Sequence, residues 1–281
     1  MKTLNLPSGK AIPVLGQGTW RMGENRTEQK AELEVLQLGM DMGISLIDTA
    51  EMYGVGGAEN IVGEAIKGRR DEVFLVSKVY PHNATLKGTV EACKRSLKRL
   101  KTDYLDMYLL HWPGSVPLSE TLEAFQQLQN EGLIRDYGLS NFDLSGIQKA
   151  LLLPGGAQIA TNQVYYNLLH RGIEWDLLPW CQNNNIPVMS YSPIESSPTD
   201  QKGFLDHAAM KAIAAEHKAT TAQIAIAWLL HKKVIVIPKS SNPVHLRENF
   251  AAIDIQMTAA ELGLLDQTFP PPAQKVSLEM R

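Results

Sequence analysis

The sequence predicts an α/β fold, specifically a (β/α)8 TIM barrel, and two observations carry that reading. Short apolar runs alternate with longer amphipathic stretches along almost the whole 281-residue chain. Polar or titratable residues sit at the carboxyl ends of nearly all of those runs. Parallel strands covered on both faces read as near-continuous apolar segments, and barrel enzymes assemble their sites where such strands end. An open doubly wound sheet would instead concentrate those residues near one switch point.

The apolar runs fall at 14–18, 44–47, 73–76, 104–110, 133–139, 158–164, 186–191 and 234–237, which is the strand count a closed barrel needs. Between them lie helical periods such as Leu33, Leu36, Met40 and Leu118, Leu122, Phe125. Thr27 and Ser119 are placed to cap the helices they precede. Ahead of the first run, residues 4–12 read as a hairpin turning at Pro7-Ser8-Gly9, with the barrel floor as its natural place. Residues 258–268 read as a further helix beginning at Thr258, followed by a short tail containing Pro270, Pro271 and Pro272. With no linker-like or low-complexity segment, residues 1–281 are expected to form a single barrel domain.

Composition narrows the function. Hydrophobic residues make up 44% and charged residues 20%, with a formal net charge of -3 and no basic stripe. A nucleic-acid partner would need a cationic footprint. No signal-peptide or bilayer-length apolar segment appears, so a cytoplasmic protein with no membrane partner is expected. Cys93 lies on the apolar helical series Val90, Cys93, Leu97, Leu100, and Cys181 follows Leu177 and Leu178, so both read as core thiols. The seven histidines are scattered without zinc-helix spacing, and no metal is expected.

Glycine motifs give no dinucleotide fingerprint. Gly16-Gln17-Gly18 begins G-x-G-x-x-G, but position 21 is Arg. Gly54-Val55-Gly56-Gly57 fits no better, and there is no Walker A sequence.

The strand-end residues Asp48, Tyr53, Lys78 and His111 nevertheless form a coherent carbonyl-reducing group. Hydride delivery to a carbonyl leaves an alkoxide that needs a proton. A tyrosine with its ordinary pKa of about 10 is a weak donor at neutral pH. A neighbouring ammonium such as Lys78 is expected to lower that pKa by ~1–3 units. Asp48 would hold the lysine and limit the cost of burying it. His111 would hydrogen-bond the carbonyl oxygen and orient it. Taken singly, each residue has a structural alternative: Asp48 as a cap, Lys78 as a solvated strand end, Tyr53 packed on Met52, and His111 as a satisfied core histidine. Their shared place at one rim is what argues for chemistry.

The segments Asp48-Thr49-Ala50-Glu51-Met52-Tyr53, Val76-Ser77-Lys78 and Leu109-Leu110-His111-Trp112 resemble signatures of the aldo-keto reductase family. So do Gly138-Leu139-Ser140-Asn141-Phe142, Asn162-Gln163, Ser190-Tyr191-Ser192-Pro193 and Ile237-Pro238-Lys239-Ser240. The matches run in family order from Gly16 to Asn249, most of the chain. The resemblance implies a catalytic tetrad of Asp48, Tyr53, Lys78 and His111 with Tyr53 as proton donor. It also implies an NADPH or NADP+ cofactor extended across the barrel mouth, with Gly18, Thr19, Trp20 and Asp48 on its path. Ser140, Asn141 and Gln163 would bind the carboxamide, and Tyr191 would stack on the nicotinamide. Ser192, Pro193 and Ile194 would border the pyrophosphate, Lys239 and Ser240 would take the 2′-phosphate, and Glu248 and Asn249 would reach the adenine. A monomer is the family default.

Two departures qualify the match. NADPH-specific relatives commonly place an arginine where this chain has His245. An imidazole can stack on adenine, but it lacks the guanidinium fork and is largely uncharged at neutral pH. A weakened NADPH preference with some NADH tolerance is therefore expected. The loop after Tyr53, Gly54-Val55-Gly56-Gly57-Ala58, is about three residues longer than the usual family loop; it either shapes the pocket or only lengthens a turn.

Trp20 and Trp112 would flank the substrate carbonyl with Tyr53 and His111. The segment 194–202 and the tail are short and lack the long apolar loops that enclose a steroid. A small aldehyde or dicarbonyl such as methylglyoxal is the expected substrate class. A nucleotide-sensing binding protein on the same fold is the main rival. A sugar-phosphate isomerase or lyase is the other, and it would prefer a glycine-rich phosphate loop after the late strands, which this sequence lacks.

Overall fold

The computed structural model describes residues 1–281. Its hairpin is β1 (Thr3–Asn5) paired antiparallel with β2 (Ala11–Pro13). The eight predicted runs become β3 (Gly16–Gly18), β4 (Leu46–Asp48), β5 (Phe74–Val79), β6 (Leu105–Leu110), β7 (Ile134–Ser140), β8 (Ile159–Tyr165), β9 (Val188–Tyr191) and β10 (Ile235–Val236). They pair in parallel and in chain order. Bridges from Leu15 to Val236 and from Gly18 to Lys239 join the two edges and close the barrel. At that seam a Cβ on Gly18 would lie 3.0 Å from the Ile237 carbonyl oxygen, so glycine lets the two backbones meet.

Helices cover the strands from outside: α1 (Gln29–Asp41), α2 (Gly57–Ala65), α3 (Leu86–Leu100), α4 (Leu118–Asn130), α5 (Leu144–Leu151) and α6 (Leu177–Asn183). Three helices separate β9 from β10: α7 (Pro198–Leu205), α8 (Ala208–Glu216) and α9 (Thr221–His231). The stretch read as short and polar therefore turns into α7. After β10 come α10 (Pro243–Ala251) and α11 (Ala259–Thr268). Thr258 caps α11 through a reciprocal box with Glu261, as its sequence position predicts. The caps expected of Thr27 and Ser119 are not formed. α1 starts after Glu28, and Thr27 instead bonds the Asn25 side chain; α4 starts after Pro117, which puts Ser119 inside the helix. In both cases a neighbour two residues upstream fixes the turn first. No helix is long and apolar enough to cross a membrane. Cys93 and Cys181 are both buried free thiols.

A period of two decides what reaches the barrel mouth, because successive strand residues face opposite sides. One apolar cluster fills the barrel interior and includes Leu46, Phe74, Val76, Met107, Leu109, Met189, Ile235 and Ile237. Leu6 and Ile12 of the hairpin join the same cluster, so the hairpin plugs the floor. Two positions beyond the last inward residue of each strand come Asp48, Lys78, His111, Tyr191 and Lys239. β8 breaks this parity. Its partners on β7 step from Tyr137–Ile159 to Leu139–Asn162, so β8 carries one extra residue. The bulge turns Gln163, rather than Asn162, inward.

Candidate active site

At the carboxyl end of β5, Lys78 is fully buried, and its three ammonium donors meet three acceptors. These are Asp48 Oδ2 at 2.7 Å, the Thr49 carbonyl at 2.9 Å and the Tyr53 hydroxyl at 3.3 Å. Asp48 completes its own shell by accepting from Gln163 Nε2 at 2.8 Å. The ion pair is thus buried with its hydrogen bonds satisfied, the condition under which such a pair is tolerable. Burial pushes the Lys78 ammonium down from its usual range, while the charge and hydrogen bond of Asp48 hold it up.

Tyr53 begins a one-turn helix, Tyr53–Gly56, that runs into α2. Gly54, Val55 and Gly56 all take left-handed conformations there, with φ of 56°, 53° and 86°. None of the residues 54–58 lines the cleft, and Val55 is 97% exposed, so the longer loop extends a turn away from the pocket. Burial first, and the Asp48 charge second, push the Tyr53 phenol well above its usual value. The expectation that Lys78 lowers it is therefore corrected: in this cleft desolvation outweighs the ammonium. The phenol stays protonated, and the ammonium beside it is placed to receive the negative charge once that proton leaves.

His111 follows β6 with its ring edge-on to Tyr53, the centroids 5.6 Å apart. Burial first, and the Lys78 charge second, hold its imidazole well below the usual range, so it is neutral at pH 7. His111 Nδ1 is buried without a partner. The tautomer protonated on Nε2 leaves no buried N–H unpaired and presents a donor toward the cleft.

These groups open into a cleft of about 350 Å³ across the barrel mouth. It brings together Gly18, Thr19, Trp20 and Asp48 from the early strands with Ser140, Asn141 and Gln163. Tyr191, Ser192, Pro193, Ile194 and Lys239 complete the later side, and Trp112 stands beside His111. Ser240, His245, Glu248 and Asn249 lie outside it, around the start and body of α10. Lys239 is exposed, and its ammonium makes one hydrogen bond, to the Ser241 hydroxyl at 3.4 Å. His245 is exposed and Asn249 is buried.

The chain fits an extended dinucleotide in specific ways. The Tyr191 ring sits in the cleft with its hydroxyl donating to Asn141 Oδ1 at 2.9 Å, and Ser192 beyond it has φ 50°. Gly18 lines the cleft with backbone alone. Gln163 has its amide nitrogen committed to Asp48, which leaves its carbonyl oxygen for a ligand amide.

Sequence reasoning missed Arg21, Met52, Glu195, Ser196, Gln201, Ile237 and Arg281, all of which line the same cleft. Arg21 lies over the Trp20 ring at 4.5 Å. Its neighbour's identification as a wall residue was the only available signal. Tyr80 backs Trp112 edge-on at 5.0 Å and stacks on His82 at 4.6 Å, extending the aromatic wall.

The sequence profile of the Aldo/keto reductase family matches residues 14–269. The chain belongs to that family. As an aldo-keto reductase it is an oxidoreductase, and its relatives agree in fold and sequence. It is 47% identical over 280 residues to methylglyoxal reductase YeaE of Escherichia coli K12, covering 99% of both chains. It is 33% identical over 267 residues to methylglyoxal reductase DkgA of the same organism, covering 92% of this chain and 90% of that one. An aldo/keto reductase from Klebsiella pneumoniae, solved in complex with NADP and acetate, superposes with a TM-score of 0.96 at 46% identity, covering 100% of this chain and 99% of that one.

Proposed function

We propose that the protein reduces small aldehydes or ketones, methylglyoxal among them, with NADPH as the preferred cofactor and NADH tolerated. The Tyr53 hydroxyl, 3.3 Å from the fully buried ammonium of Lys78 and edge-on to a neutral His111, is the observation that carries this reading. The similarity to methylglyoxal reductase YeaE supports the substrate class, and the NADP-bound relative from Klebsiella pneumoniae supports the cofactor.

The reduced nicotinamide, when bound, supplies the hydride. Tyr53 transfers its phenolic proton to the substrate oxygen as that oxygen gains charge, which leaves a tyrosinate facing the Lys78 ammonium. His111 donates to the same oxygen and orients the carbonyl, an electrostatic contribution that strengthens as charge develops. Asp48 keeps Lys78 charged and in place. Trp20, Met52 and Trp112 wall the substrate end of a cleft whose volume must also admit the nicotinamide, which favours compact carbonyl compounds. Ser140, Asn141 and Gln163 serve the carboxamide and Tyr191 the nicotinamide face. Lys239 and Ser240 serve the 2′-phosphate, with His245, Glu248 and Asn249 near the adenine.

The test is turnover of a panel of small aldehydes followed at the nicotinamide absorbance. Tyr53→Phe is expected to lower kcat by about 10²–10⁴-fold, the usual worth of a positioned acid, while NADPH affinity stays within about twofold. Near-normal turnover in that variant overturns the tetrad. No turnover on any aldehyde, combined with tight NADPH binding, overturns the enzyme reading in favour of a nucleotide sensor. An NADPH over NADH ratio of catalytic efficiencies above ~10⁴ contradicts the weakened clamp at His245, since that is more than 5 kcal/mol of discrimination.

A further inference from the structure

Glu195 follows the stretch proposed to border the pyrophosphate, takes a left-handed backbone at φ 64°, and lines the cleft although its side chain is fully buried. A carboxylate in that position is electrostatically wrong for a neighbouring diphosphate unless something neutralises it. Its Oε1 accepts from the backbone N–H of Ser196 at 2.6 Å, from that of Ser197 at 2.8 Å, and from Arg281 Nη1 at 2.6 Å. Its Oε2 accepts from the Tyr165 hydroxyl and lies 3.2 Å from His170 Nε2. Burial opposes the charge, yet these donors hold the Glu195 carboxyl below its usual range, so it is ionised. Among its partners only Arg281 carries a permanent positive charge.

Arg281 also acts at a second point. Its backbone N–H donates to the Tyr191 hydroxyl at 3.2 Å, while that hydroxyl donates to Asn141. The ring is thus tethered from two sides. Behind it, Tyr165 stacks on Tyr191 at 5.5 Å and His170 stacks on Tyr165 at 4.3 Å. Glu279 holds the outer nitrogen of His170 at 3.0 Å. Residues 279–281 are therefore fastened to the wall of the cleft at the imidazole, at the buried carboxylate and at the tyrosine hydroxyl.

We propose that Arg281 is a positioning residue for the dinucleotide: its guanidinium cancels the buried Glu195 charge beside the pyrophosphate trough, and its backbone N–H sets the Tyr191 ring against the nicotinamide. This assignment rests on the proposed cofactor reading of the cleft. It predicts an order of dependence that a purely structural ion pair does not. Loss of the cation alone exposes an uncompensated carboxylate to the diphosphate, whereas loss of both charges does not.

Equilibrium NADPH binding, measured by titration calorimetry or by nucleotide fluorescence on the folded full chain, tests the proposal, with thermal melting as the check on folding. Arg281→Ala is expected to weaken NADPH by about tenfold, the worth of a charged contact discounted for its partial exposure. Glu195→Gln is expected to stay within about threefold of the parent protein, and the double variant Arg281→Ala, Glu195→Gln to recover most of the loss. Arg281→Lys, which keeps the charge, is expected to fall between. KM for NADPH should follow these constants while kcat changes little. A folded Arg281→Ala protein that binds NADPH within twofold of the parent overturns the proposal. A double variant as weak as Arg281→Ala overturns its electrostatic basis. A parent protein that does not bind NADPH overturns the cofactor reading itself, an outcome distinct from either.

Discussion

At the catalytic end of the cleft, Asp48, Lys78 and Gln163 are locked to one another inside the barrel before any ligand arrives, whereas the groups proposed for the 2′-phosphate and adenine stand at the rim. Lys78 has an acceptor for each of its donors, two of them fully buried, but Lys239 makes one long hydrogen bond from an exposed side chain. The first arrangement fixes geometry in a region of low dielectric, where a fixed charge acts strongly. The second leaves a flexible cation in water, where its effect is smaller and screened by salt. On the proposed reading, chemistry is therefore concentrated where the barrel is closed, and cofactor selection is left to the rim.

The sharpest way to break this contrast is Lys78→Met. Turnover is expected to fall by about 10²–10⁴-fold. Stability is expected to drop by about 3–5 kcal/mol, because Asp48 is left as a buried charge without its cation. Single-turnover rates and denaturant unfolding would show both effects, with NADPH binding to the folded fraction retained. At the rim, Lys239→Ala is expected to weaken NADPH by about tenfold in direct titration and to leave NADH unchanged. His245→Arg should raise the NADPH over NADH ratio of kcat/KM by about three- to tenfold, since it supplies the missing fork; an unchanged ratio would show that position 245 does not meet the phosphate.

Smaller effects separate the site from its surroundings. His111 is held neutral well below the ordinary imidazole value of 6.5, and Tyr53 is held protonated beyond the ordinary phenol value of 10.0. The neutral imidazole is lost only as pH falls past its depressed pKa, and the phenolic proton only as pH rises past its raised one. The pH profile of kcat for reduction should accordingly be level between about pH 6 and 9, and a fall centred near 6.5 would contradict the assignment. Val55, a β-branched residue at φ 53° and almost wholly exposed, lies outside the cleft. Val55→Asn relieves its left-handed strain and should raise Tm by about 2–4 °C without altering kinetics.

Much of this was legible in the sequence because a strand's alternation is a local property. Once Val76 and Leu109 are read as inward, Lys78 and His111 must face the mouth, and the order of the runs places them side by side. The hairpin under the floor and the cap at Thr258 followed from equally local patterns. The failures are local rules overruled by close neighbours or by distance. Asn25 and Pro117 set helix starts that Thr27 and Ser119 were expected to set. The bulge in β8, which turns Gln163 inward in place of Asn162, is not encoded by strand alternation either; Gln163 was assigned to the cleft only through the family resemblance. The net direction of the Tyr53 pKa depended on how completely the phenol is desolvated, which residue spacing does not encode.

The sequence by itself determined the repeating strand-and-helix pattern, the parity that aims Asp48, Lys78 and His111 into one mouth, and the family resemblance borne by those residues. Tertiary structure alone decided that Gln163 meets Asp48 across 115 residues of chain and that Arg281 meets Glu195 across 86. The physical reason is one of range. Backbone periodicity fixes the direction of a side chain within a few residues, whereas the partners of a buried charge are fixed only when the closed barrel removes water and leaves the charge the protein donors within reach.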